Sequence, residues 1–74
     1  MKSGKFRNVK FTIELTSSYG HYIIRSHYRG RDIKIKTTDA ELYDWIDDTS
    51  NKEKNHWALK SIYNDIVLAY EKIY

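Results

Sequence analysis

Between Lys5 and Thr16, apolar and polar residues alternate: Val9, Phe11, Ile13 and Leu15 are separated by Lys10, Thr12 and Glu14. This period fits a strand with one buried face, because successive side chains leave opposite sides of an extended chain. Ser17-Ser18-Tyr19-Gly20 then reads as a turn, with Gly20 able to take positive φ. From about His21 to Arg29 the chain is again β-branched and aromatic. Tyr22, Ile24 and Tyr28 share one face; His21, Ile23, Arg25, His27 and Arg29 share the other. A tight hairpin at Arg29-Gly30 or Gly30-Arg31 leads into a third strand, about Asp32 to Thr37. There Ile33 and Ile35 point inward, Lys34 and Lys36 outward. The short connections predict an antiparallel meander of three strands.

The period then changes. Thr38-Asp39-Ala40-Glu41 has the spacing of a capping box, a hydroxyl followed three residues later by Glu. It predicts a short helix over about 39–47, with Leu42, Trp45 and Ile46 on its inner side. Asp48 to Asn55 is the most polar stretch and reads as a loop, although Ser50 to Glu53 repeats the capping spacing. A long helix therefore begins at Asn51 or only after Asn55 and runs to residue 74. At 100° per residue, Ala58, Ile62, Ile66, Ala69 and Ile73 form one stripe, flanked by Leu59, Tyr63 and Tyr70. Trp57 and Leu68 fall on the far side. The expectation is an α+β fold: a β-β-β-α-α chain in two layers, with the long C-terminal helix packed on one sheet face.

Length sets the domain count. Seventy-four residues make one domain, spanning 1–74 with its sheet over about 5–37, and it buries roughly 60–65% of its unfolded surface. No cysteine is present, which removes disulfides and thiolate metal sites and fits a cytoplasmic location. The amino end is polar and basic, unlike a signal peptide. The longest apolar run, Ile66 to Tyr70, is far short of the roughly 20 residues that span a bilayer. A soluble protein without a membrane role is expected.

Charge is unevenly divided. Residues 1–38 carry nine Lys/Arg against Glu14 and Asp32, net +7; residues 39–74 carry four Lys against eight acids, net −4. Strand parity gathers much of the positive charge on the face away from the core: Lys10, Arg25, Arg29, Lys34 and Lys36, with Thr12 and His27 among them. Clustered Lys and Arg bind a phosphate backbone largely through counterion release, without needing a motif. Arg is also able to grip a guanine edge, which gives Arg25 a second role, and strands as well as helices enter the major groove. DNA is the expected partner. The same distribution also serves solubility and edge protection.

In its order of strands and helix and its basic sheet face, the chain resembles the three-stranded-sheet-plus-helix DNA-binding domains of some recombinase amino-terminal regions and AP2-type factors. No motif aligns residue by residue, so the resemblance implies a shape and no contact residues. RNA is a poorer fit, since single-stranded RNA readers display aromatics for stacking. The outward set here has only Ile23 as a large apolar residue.

Other chemistry finds little footing. About 20 Å of strand, at roughly 3.3 Å per residue, separates His21 from His27, and His56 stands alone near a helix start. Asp44, Asp47 and Asp48 match no calcium loop. There is no Gly-rich phosphate loop and no cysteine nucleophile, and a thin two-layer domain has little room for a deep pocket. No catalytic residue, cofactor, metal or small-molecule substrate is expected. The alternative to DNA is a protein-interaction or homodimerisation surface at Trp57 and Leu68, joined by Tyr19, Tyr43 or Tyr74. Against it, aromatics are efficient core fillers in small domains, and Trp57 is placed to fold back over the short helix.

Overall fold

The computed structural model describes residues 1–73, with side chains as far as Lys72. The side chain of Ile73, expected in the helix stripe, and all of Tyr74 lie outside the described residues. Four strands, Lys2–Phe6 (β1), Val9–Leu15 (β2), Tyr22–Tyr28 (β3) and Arg31–Thr37 (β4), form one antiparallel meander in the order β1-β2-β3-β4. A short helix, Ala40–Trp45 (α1), and a long one, Lys52–Ile73 (α2), complete the chain.

The α+β class and the meander agree with the sequence pattern, but the expected three strands are four. The first expected strand divides at Arg7-Asn8, whose φ values of 48° and 65° are both positive. Two left-handed residues in a row make the two-residue turn that best matches the twist of a hairpin. The added strand, β1, escapes the pattern because Lys2-Ser3-Gly4-Lys5-Phe6 holds no β-branched residue. Its register shows what it contributes: Gly4 lies opposite Phe11 and Phe6 opposite Val9. A Cβ on Gly4 would stand 2.8 Å from the Phe11 ring and 2.9 Å from the Leu59 side chain. Glycine is therefore what lets β1 lie under the helix.

The core lies between sheet and helices. Ile13 pairs with Ile24, and Ile24 with Ile35. Over this row and its neighbours Phe11, Tyr28 and Ile33, α2 lays Ala58, Ile62 and Ile66, while α1 adds Leu42 and the residue just after it, Ile46, completes the cluster. Ser26 is buried among them, its hydroxyl donating to the Lys10 carbonyl at 2.7 Å, so no lone donor is left unsatisfied. Leu15, at the last position of β2, is exposed despite its inward parity.

Both helices begin on side-chain caps. Asp39, one residue later than the expected Thr38, caps α1 by accepting from the Glu41 amide at 3.0 Å. Its own amide donates to the Thr37 hydroxyl. Helix α1 also stops earlier than residue 47, with Ile46 as its C-cap. Asn51 caps α2, accepting from the Lys54 amide at 3.0 Å, which fixes the earlier of the two expected starts. Asn55 then closes α1, its amide donating to the carbonyls of Trp45 (3.0 Å) and Ile46 (2.8 Å). The molecule measures 36 × 30 × 16 Å, the thinnest dimension being one sheet plus one helix layer. Among the described residues no helix is long and apolar enough to cross a membrane.

Candidate functional site

The helices cover one face of the sheet, and the other carries the residues of opposite parity. Pairing places them in rows. Ser3 lies opposite Thr12, Thr12 opposite Arg25, and Arg25 opposite Lys34. On one side of this row Glu14 pairs with Ile23 and Ile23 with Lys36. On the other, Lys5 pairs with Lys10 and His27 with Asp32. Lys5, Lys10, Arg25, His27, Lys34 and Lys36 are all exposed. Lys5 was missed in the sequence because the strand that carries it has no alternating signal.

Where short side chains meet long ones, the face dips. Ser3 and Thr12 help line a shallow trough of about 810 Å³, together with Lys5, Lys10, Arg25, His27, Lys34 and the acid Asp32. Two contacts temper the positive charge. The Nε of Arg25 donates to Glu14 Oε1 at 3.3 Å, with both side chains substantially exposed. Nδ1 of His27 lies 2.9 Å from Asp32 Oδ1. Exposed pairs of this kind contribute at most about 1 kcal/mol to stability and separate readily in favour of a better partner. Among the described residues, no hydrogen bond or ion pair holds Lys5, Lys10, Lys34 or Lys36.

Arg29 does not belong to this face. It was expected to continue the parity of Arg25 and His27, but with φ of 49° it is the first residue of the β3–β4 turn, and Gly30 at 79° is the second. Its guanidinium lies over the rings of Tyr28 (5.3 Å) and Tyr70 (5.8 Å). Arg7 repeats this arrangement in the β1–β2 turn, over Phe6 (5.7 Å) and Tyr63 (5.8 Å). The two turns are two strand spacings apart, roughly 9.6 Å. Tyr63 and Tyr70 are seven residues apart on α2, roughly 10.5 Å along its axis. One helix thus clamps both hairpin ends through an arginine and a tyrosine. Lys2 is likewise engaged on the helix side, donating to the Tyr43 carbonyl at 3.0 Å and to Asp47 at 3.1 Å. These three cations are thus engaged within the molecule, each exposed ring contact contributing about 0.5–1 kcal/mol.

The other proposed surface is less continuous. Trp57 is 43% exposed and meets Trp45 edge to face at 5.5 Å, with Lys54 over the Trp45 ring. Leu68 is 55% exposed. The two lie nearly above one another on the helix, about 16 Å apart at 1.5 Å per residue, with Ser61 and Asn64 between them. Tyr19 stands fully exposed at the β2–β3 turn, whereas Tyr43 stacks on Tyr22 at 5.1 Å. His56 packs against Phe6 at 5.5 Å. In the acidic cluster, Asp47 holds Lys2 and Asp48 accepts from Ser50. Among the described residues no three His, Asp or Glu side chains converge on a point that would hold a metal ion. Comparison of the chain with protein-family models, curated proteins and solved structures finds no significant match in any of the three.

Proposed function

We propose that this chain is a DNA-binding module that sets the uncovered face of its sheet against the phosphate backbone. The observation that carries the reading is the placement of Lys5, Lys10, Arg25, Lys34 and Lys36 on that one face, four of them without a hydrogen-bond or ion-pair partner among the described residues. Charge left unpaired on a single open surface gains most from releasing counterions condensed on a polyanion. Lys10, Arg25, Lys34 and Lys36 make the backbone contacts, with Lys5 added. Arg29 is left to its structural role over Tyr28 and Tyr70.

Fluorescence anisotropy with labelled duplex DNA across a salt series is the test. Binding at about micromolar Kd or tighter is expected at low salt, weakening steeply as salt rises. Arg25→Glu combined with Lys34→Glu should abolish it while circular dichroism shows the fold retained. No binding at low salt, or binding unchanged in the double variant, overturns the reading.

The exposed Trp57 and Leu68 favour a second reading, docking of a protein or a second copy on α2. It has less support, because two polar residues interrupt the patch and Trp57 already packs on Trp45. Light scattering at high concentration separates the cases. A monomer removes the homodimer, and loss of fold in Trp57→Ala assigns that ring to packing.

A further inference from the structure

The five outer cations are not scattered over their face. Lys5 and Lys10 are paired across β1 and β2. Arg25 and Lys34 are paired across β3 and β4, one row further along the strands, since Arg25 faces Thr12 and Thr12 lies two residues beyond Lys10. Lys36 lies a further row along β4. With strands about 4.8 Å apart and rows about 6.8 Å apart, the five fall on a diagonal roughly 20 Å long. It runs from one corner of the sheet to the opposite one. The two acids of the face lie off this line, Glu14 on one side and Asp32 on the other. Each is within contact distance of a basic side chain beside it, Glu14 with Arg25 and Asp32 with His27.

We infer that one strand of duplex DNA lies along this diagonal, its successive phosphates meeting Lys5, Lys10, Arg25, Lys34 and Lys36, and that Glu14 and Asp32 fix its direction by repelling phosphates placed to either side. The inference rests on the DNA-binding reading and specifies its geometry. A duplex fits better than a single strand because, among the described residues, the face offers no Phe, Tyr or Trp on which unstacked bases would lie, and the His27 imidazole is held by Asp32. Charge complementarity runs along a line, which matches a chain of phosphates rather than an isolated anion. Glu14 has a second effect. In the free protein it accepts from the Nε of Arg25 at 3.3 Å, so it competes with a phosphate for that guanidinium.

The slope of log K against log salt for duplex DNA counts the phosphates engaged. Five contacts give about −4.5, at roughly −0.9 for each. Lys10→Gln should reduce its magnitude by about 0.9. Arg29→Gln, which alters a cation off the diagonal, should leave it unchanged. Glu14→Gln and Asp32→Asn should each tighten binding about two- to fivefold, as expected for removing one exposed repulsive charge. Binding that ignores both acid substitutions, or loses as much slope in Arg29→Gln as in Lys10→Gln, overturns the diagonal and leaves DNA binding standing. Tighter binding to a single-stranded oligonucleotide of the same length overturns the duplex assignment. No binding to either overturns both this inference and the reading beneath it.

Discussion

The two faces of one sheet treat their cations in opposite ways. On the helix side, Lys2 donates to a carbonyl and a carboxylate, while Arg7 and Arg29 lie over aromatic rings that α2 brings to the hairpin turns. On the open side, Lys5, Lys10, Lys34 and Lys36 extend without a partner among the described residues, and Arg25 has only an exposed carboxylate. Residue type is similar; strand parity separates Lys2 from the open-face cations, and the left-handed turn positions of Arg7 and Arg29 take those two out of the parity altogether. Net charge would count all of them together, yet only the second group is available to an external anion.

That contrast makes the helix side the place where substitutions damage the fold. Ile62, fully buried in the stripe of α2, should cost about 2–5 kcal/mol on replacement by Ala. In a domain this small that approaches the whole stability, and urea denaturation should find Ile62→Ala largely unfolded. Gly4→Ala comes next. Its new methyl would press on the Phe11 ring and Leu59, so a loss of about 1–3 kcal/mol is expected by the same measurement.

A smaller effect of opposite sign is expected at Asp65. Partial burial on α2 pushes its carboxyl above the usual range, and the charge of Asp39 adds to this. The folded state therefore holds the proton more tightly than the unfolded chain, whose pKa is about 3.9. The stabilisation is fully present below that value and is lost as pH rises through the higher folded pKa. Asp65→Asn should melt at a higher temperature than the parent at neutral pH and show a flatter pH profile across that window. The smallest change belongs to the open face: Lys34→Gln should alter stability by no more than about 0.5 kcal/mol. A large loss there would mean that the two faces are not so distinct.

Much of this division was legible in the sequence. Alternation in β2, β3 and β4 placed Ile13, Ile24 and Ile33 inward and Lys10, Arg25, Lys34 and Lys36 outward, and the 100° stripe of α2 identified Ala58, Ile62 and Ile66. β1 was not legible, because Gly4 contributes by having no side chain and a periodic pattern does not register it. With β1 went Lys5, one end of the diagonal. Arg29 was misplaced because a two-residue turn consumes both Arg29 and Gly30, so parity stops at Tyr28. The cap of α1 shifted from Thr38 to Asp39 because either side chain is able to accept the amide, and only geometry chooses. The arginine–tyrosine clamps depend on how the pitch of α2 matches the spacing of the hairpins, a relation between distant segments that no local pattern encodes.

Amide chemical shifts of the labelled protein, followed by NMR as unlabelled duplex DNA is added at low salt, would locate the contact surface residue by residue. The largest changes are expected at Lys5, Lys10, Arg25, Lys34 and Lys36, with the exposed side of α2 undisturbed. Changes centred on Trp57 and Leu68, or a spectrum that does not move, would contradict it.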